Sequence, residues 1–293
     1  MQQTGPQAQN WLVLGATGKL GQPLVGELAH RHGSQSVVGA ARHPPKITGL
    51  LGHFLEVDAE DGLRLAELLP RCHAVLHLCA HDRPRAQALI AAAAQVGHWP
   101  TLVVASSIAE RRPQDWLLSE DQVTSPPQDG FGLTLREAND QLLAGWQGPL
   151  HIALLPQLFA AGDPRDRLAM WLAEADHGAL GLPGTGQQHP ALIDVLDATR
   201  LLADLAELPR GVGRVVLGHP QPQTAMAIAQ AALAGSGQSQ VPIALGGAGR
   251  ALSGGDERLN LGKQQRLWPD YPWQPLLQQV RTAAATWQIA RNQ

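Results

Sequence analysis

A chain of 293 residues, 44% of them hydrophobic and with a formal net charge of −3, is long enough to bury one large core or two modest ones. No apolar run approaches the roughly eighteen residues that cross a bilayer, only two cysteines occur, and the basic residues are dispersed. These features disfavour a membrane span, a disulfide framework and nucleic acid as a partner, and a soluble, cytoplasmic protein is expected. The first ten residues, MQQTGPQAQN, are polar and read as a flexible N-terminal tail rather than a signal peptide.

Trp11-Leu12-Val13-Leu14 has the length and apolarity of a buried parallel strand. It runs into Gly15, Gly18 and Gly21, spaced three apart. Leu20, Leu24, Val25 and Leu28 then recur at helical spacing as far as Gly33, where a left-handed cap is expected. Strand, glycine turn and helix predict a cradle of backbone N–H groups at a helix N-terminus, a pyrophosphate site built from Gly15, Thr17, Gly18, Lys19, Leu20 and Gly21. One glycine permits the tight turn, one the approach of phosphate, and one close helix–strand packing. The next apolar run, Ser36 to Ala41, ends at Arg42, about twenty residues past the last glycine, where a dinucleotide site reads the ribose 2′ position. An acidic residue there suits NAD. Arg42, followed by His43 and Lys46, suits the 2′-phosphate of NADP(H). A purely structural turn and a solvated loop arginine are the alternatives.

The GATGKLG turn resembles the G-x-x-G-x-x-G of the extended short-chain dehydrogenase/reductase superfamily, the branch of NAD-dependent epimerases, dehydratases and related reductases. That resemblance implies an α/β fold: a doubly wound parallel Rossmann sheet of about seven strands over residues 11–160, with ligands at the strand C-termini, between two lobes. The small C-terminal substrate lobe is expected over 161–293, with segments near 191–218 returning to the Rossmann domain.

His53 to Asp58 reads as a third strand. Asp58, beside Val57, resembles the family's aspartate next to the adenine ring, and equally suits an N-cap for a helix beginning near Gly62. The segment from Asp61 to Leu69 is a short helix stopped by Pro70. Ala74 to Ala80 is a fourth strand, and His77-Leu78-Cys79-Ala80 resembles the family's H-L-A-A beside the nicotinamide ribose, which implicates Cys79 and Ala80. On a strand, His77, Cys79 and His81 share one face. Metal ligands would look the same, but a polar residue on a buried strand is normally just satisfied there, and no metal is assigned. His81 falls past the strand end, where α/β sheets place ligands. Arg83 to Val96 is an alanine-rich helix capped by Gly97, and Thr101 to Ala105 is a fifth strand ending in Ser106-Ser107. This pair matches the superfamily's catalytic serine or threonine, which holds a substrate carbonyl or hydroxyl, with Ser107 ahead of Ser106 by register.

The pattern then breaks. The family's Y-x-x-x-K pair supplies a proton donor and the lysine that tunes it, one helical turn apart. Here Phe131-Gly132-Leu133-Thr134-Leu135 keeps the glycine and threonine but puts phenylalanine and leucine at the reactive positions. Neither can give a proton or bond a ribose, and the single tyrosine is Tyr271. A proton must come from elsewhere, with His81 foremost and Arg136 or Glu110 behind it, or no turnover occurs.

His151 to Pro156 is a sixth strand, and Gly162-Asp163-Pro164 corresponds loosely to the branch's glycine-rich loop. Gly181 to Gln187 resembles its substrate-side turn. Ala191 to Ala198 resembles I-H-V-D-D-V-A, with Asp197 preferred as an N-cap for a helix over Ala198 to Leu208. Arg214 to Gly218 is a further strand and Thr224 to Leu233 a helix. Gly235 to Gly255 reads as a mobile surface segment, and a last helix follows Trp273. Arg165 and Arg167 could face an anion but suit solvated surface charges better. Trp116 and Trp146 could line a pocket for a flat ligand or fill the core.

Taken together, these readings predict an NADP(H)-dependent oxidoreductase of the extended short-chain type with an atypical active site, acting on a small-molecule substrate and open to homodimer formation. A non-catalytic NADP(H)-binding sensor or structural protein is the alternative. A sugar-nucleotide epimerase or dehydratase is weaker, because it needs tightly held NAD(H).

Overall fold

The computed structural model describes residues 10–43, 53–122, 124–127, 129–161, 166–246 and 256–291. In chain order its elements begin with β1 (Asn10–Leu14), α1 (Gly21–His32), β2 (Val37–Ala41), β3 (His53–Glu56), α2 (Gly62–Leu68), β4 (Cys72–His77), α3 (Arg83–Val96) and β5 (Thr101–Ser107). There follow α4 (Gly130–Gly145), β6 (Leu150–Leu155), β7 (Gln157–Phe159), α5 (Arg167–Ala175), β8 (Leu180–Leu182), β9 (Leu192–Asp194) and α6 (Val195–Glu207). The chain closes with β10 (Gly213–Val216), α7 (Ala225–Gly235), β11 (Ile243–Leu245), α8 (Gly262–Leu267) and α9 (Leu276–Arg291). Among the described residues no helix is long and apolar enough to cross a membrane.

Seven strands form one parallel sheet in the order β10-β6-β5-β4-β1-β2-β3. The order reverses between β1 and β4, so right-handed crossovers send α1 to one face and α2, α3 and α4 to the other. This is the doubly wound Rossmann arrangement. The chain divides into two compact units. The first, residues 1–115, 120–155 and 196–216, holds the seven-stranded sheet; the second comprises 116–119, 156–195 and 217–293. In the second, Trp171, Leu172 and Leu180 form a core with Ile228, Val280 and Trp287, and the Trp171 indole N–H donates to Gly181 O at 3.2 Å.

The turn after β1 sets the entry of α1. Gly15 has φ +85°, a conformation that a side chain would strain. A Cβ on Gly21 would lie 2.3 Å from Gly15 O and 2.6 Å from Ala16 C, so only glycine lets the helix start against the turn. At its far end α1 is tied to α6, where the Arg31 guanidinium donates to Asp204 at 2.6 Å.

Several expectations shift. Gly33 has positive φ but ψ of 141°, so it is not the left-handed cap expected; it leads into a 3-10 turn instead. Gly97 is left-handed, with φ 65° and ψ 24°. The cap of α2 is Asp61, whose side chain accepts Arg64 N–H at 3.0 Å, not Asp58. Because α6 begins at Val195, Asp197 lies inside its first turn rather than capping it. Ile243–Leu245, inside the stretch read as a mobile segment, pairs with β8. The tail residues 1–9, Lys46, the 162–164 loop and 247–255 fall outside the described residues, whereas Asn10 opens β1.

Two fully buried histidines lie in the sheet. His151, on β6 between β5 and β10, has no hydrogen-bond partner for either ring nitrogen among the described residues, and His77 on β4 has none for Nε2. Burial pushes their pKa values down, to about 4 for His151 and about 3 for His77, where His81 and Arg85 add to the effect. The unfolded chain therefore takes up protons first, and stability is lost as pH falls below about 6.5.

Two outcomes are expected. Urea midpoints should fall between pH 7.5 and 5.5 by the equivalent of about 1.4 kcal/mol for each histidine, and His151→Leu should remove about half of that slope; an unchanged slope would refute the assignment. Gly21→Ala should cost about 1–3 kcal/mol, the usual penalty of overpacking, measured as a lower urea midpoint.

Candidate functional site

Backbone pairing continues past the strand ends and gathers four loops. Gly15 and Ala16 N–H both donate to Ala40 O, at 2.9 and 3.1 Å, Val57 N–H to Ala41 O at 3.1 Å, and Leu78 N–H to Leu14 O at 2.9 Å. The C-terminal ends of β1, β2, β3 and β4 are thus stitched around one cavity of about 390 Å³ at the point where strand order reverses. That volume lies in the usual range of ligand pockets.

Gly15, Thr17, Gly18, Arg42, Val57, Asp58, Cys79 and His81 all line this cavity. Lys19, Leu20, Gly21 and Ala80 do not: Leu20 holds the N-cap position of α1 without a side-chain cap, Gly21 packs on the turn, and Ala80 is buried. Sequence reasoning missed Arg85, which enters from the first turn of α3 and is held by Asp82 at 2.5 Å and Glu60 at 3.0 Å. The available signal was its place three residues after the cap residue Asp82, whose side chain accepts Arg85 N–H. Two guanidinium groups, Arg42 and Arg85, and two histidines, His43 and His81, line the cavity with a single carboxylate, Asp58. Asp58 accepts Glu60 N–H at 3.1 Å, which fixes its loop.

β4 ends at His77, so the alternation of His77, Cys79 and His81 is not a strand face, as had been expected. Cys79 Sγ lies 3.7 Å from His77 Nδ1, and burial pushes its thiol up to about 11, which keeps it protonated near neutrality. Partial burial, followed by the charge of Arg85, holds His81 below the ordinary histidine range.

The serines lie apart from the cavity lining. β5 runs through both. Ser106 is buried, and its Oγ accepts from Asn139 Nδ2 at 2.7 Å. Ser107 is half-buried, and its Oγ accepts Ala109 N–H at 3.2 Å. Asn139 Nδ2 also donates to Glu110, which is fully buried and takes Arg214 Nε at 2.5 Å. Arg214 continues to Asp140 at 2.5 Å. Burial raises the Glu110 carboxyl above its usual range, against the pull of Arg214 and Asn139. Ser106 is thus the inner end of a polar chain running through α4 to the edge strand β10.

On α4 the Asp129 side chain caps the helix by accepting Gly132 N–H at 2.7 Å. A Cβ at Gly132 would lie 2.1 Å from Ala109 O, so the helix start presses on the loop after β5. Phe131 is 59% exposed, and Leu135 is 1% exposed. Tyr271 packs against Trp273 in the second unit, ring centroids 4.5 Å apart and planes tilted by 50°. Trp146 is buried and packs edge-on against Trp99, as a core residue, while Trp116 is half-buried. Arg165 and the side chain of Arg167 fall outside the described residues.

No family model matches the chain, and no curated protein matches it by sequence. Solved structures do. A consensus L-threonine 3-dehydrogenase superposes with a TM-score of 0.79 at 18% identity over 96% of this chain and 99% of its own. An NAD-dependent NDP-hexosamine 5,6-dehydratase of tunicamycin biosynthesis gives 0.76 at 19% identity, over 96% and 98%. The UDP-N-acetylglucosamine 4-epimerase of Bacillus cereus gives 0.76 at 16% identity, over 97% and 100%. Over nearly its whole length, the chain has the fold of these epimerases, dehydratases and dehydrogenases.

Proposed function

We propose that the chain is an NADP(H)-dependent oxidoreductase of the extended short-chain dehydrogenase/reductase type whose active site lacks the tyrosine–lysine pair. The reading rests on the convergence of the glycine turn, Arg42, Asp58, Cys79 and His81 on one cavity. Gly15, Thr17 and Gly18, at the N-terminus of α1, would hold the pyrophosphate, with Lys19 beside them and Leu20 and Gly21 setting the helix start. Arg42 would take the 2′-phosphate by charge-assisted hydrogen bonds. Val57 and Asp58 would flank the adenine, and Cys79 and Ala80 the nicotinamide ribose. The bound nicotinamide supplies hydride transfer.

Ser107, or Ser106 behind it, would orient a small-molecule substrate. His81 would move the proton, and its lowered pKa makes it neutral at pH 7, so it acts first as a base. That base is lost as pH falls through the lowered pKa. The structural neighbours are named for NAD, whereas Arg42 with Arg85 in the cavity favours the extra phosphate. A second reading, a protein that binds NADP(H) without turnover, is favoured by Phe131 and Leu135 alone.

Fluorescence titration of the purified chain with NADPH and with NADH tests the cofactor site. NADPH should bind more tightly, and Arg42→Ala should weaken NADPH about tenfold to a hundredfold, the worth of a charged hydrogen bond, with NADH unchanged. Failure of both nucleotides to bind would sink the proposal. Turnover abolished by His81→Ala or Ser107→Ala would exclude the non-catalytic reading.

A further inference from the structure

The second unit has a cavity of its own, about 270 Å³, built entirely from its own residues. Its lining is largely aliphatic, with Leu117, Leu192, Leu259, Leu261 and Leu276 among it. Leu117 is 63% exposed, an apolar lip that no packing explains.

At this lining stands a histidine with a defined tautomer. Asp256 Oδ1 accepts both the backbone N–H of His189, at 3.0 Å, and its Nδ1, at 2.9 Å. A carboxylate only accepts, so in the neutral ring the imidazole proton sits on Nδ1 and Nε2 carries the lone pair. Asp256 is itself fixed: its Oδ2 accepts Arg258 Nε at 2.8 Å, with Nη2 at 2.7 Å. Glu257 pins the same stretch by donating its N–H to His189 O at 2.8 Å and accepting Ala191 N–H at 3.0 Å. His189 Nε2 has no partner among the described residues.

The other lining histidine is spent. His219 Nδ1 accepts Gln221 N–H at 3.2 Å, so its proton is on Nε2, which donates to Gln274 O at 2.9 Å. His189 therefore supplies the open acceptor. The lining guanidinium, Arg258, is already clasped by Asp256, and Glu257 adds a further negative charge. A phosphate or diphosphate is best held by several charged donors, and the single guanidinium at this cavity already gives Nε and Nη2 to Asp256.

We propose that this cavity binds an uncharged amphipathic molecule, its aliphatic or aromatic body on the leucines and a hydroxyl donated to His189 Nε2. The inference goes beyond the nucleotide reading, and its test uses no nucleotide, so either can fail without the other.

The test is calorimetric titration of the full chain with 1-heptanol, heptanoate and heptylamine. Heptanol should bind saturably at one site, and heptanoate, facing Glu257 and Asp256, about tenfold or more weaker, a difference of one to two charge contacts. Leu117→Asp, at an exposed position that folding tolerates, should weaken heptanol about tenfold by placing a charge at the apolar lip. His189→Phe, which keeps the apolar volume, should weaken it by a similar factor through the lost hydrogen bond. Absence of saturable heptanol binding, tighter binding of heptanoate or heptylamine, or affinity unmoved by both variants would each overturn the proposal.

Discussion

The whole Rossmann unit depends on one close approach, that of the first turn of α1 to the carbonyl of Gly15. With no Cβ at Gly21 the helix begins where the strand's turn ends, and Gly21 and Gln22 N–H both donate back to Gly18 O, at 3.0 and 3.3 Å. Every other part of the cavity is placed relative to that contact. Ala40 O bonds to the turn, Leu14 O receives Leu78 N–H, and Ala41 O receives Val57 N–H, so β2, β3 and β4 are registered on the same few backbone atoms. A methyl group at Gly21 would push on all of them together.

Much of this could be read from the chain. Apolar runs of strand length, glycines three apart and the interval to Arg42 are local signals, and local signals survive folding because each acts within one turn or one strand. Cap identities were less legible. Asp58 and Asp61 lie three residues apart and are chemically equal, and only the geometry of the loop decides that Asp61 meets Arg64 N–H. The end of β4 was misread because Leu78 to Ala80 are as apolar as the strand before them; pairing, not composition, ends it at His77.

Long-range polar contacts were not legible at all. Glu110 and Arg214 are 104 residues apart, and nothing in either neighbourhood announces the other. The same holds for His189 and Asp256, 67 residues apart. A buried carboxylate such as Glu110 needs a partner that topology delivers, and topology is what a one-dimensional pattern lacks. The site that sequence reasoning reached by analogy, the helix position held by Phe131 and Leu135, is the one where side-chain chemistry departs from the scaffold: an exposed ring and a buried aliphatic chain on a helix otherwise positioned by Gly132 and Asp129.

The two units are woven from interrupted stretches of chain. The edge strand β10 joins the seven-stranded sheet only after the chain has passed through residues 156–195 of the second unit, which is itself completed by 217–293. On a ribosome, the sheet's last strand emerges only after residues 156–195 of the second unit, and the second unit waits for α9. Arg214, on that late strand, is the partner of the buried Glu110. Until it arrives the Glu110 carboxyl lacks its hydrogen-bonded cation, and burial disfavours its charged form. The last strand of the sheet thus delivers the guanidinium that offsets the burial of Glu110.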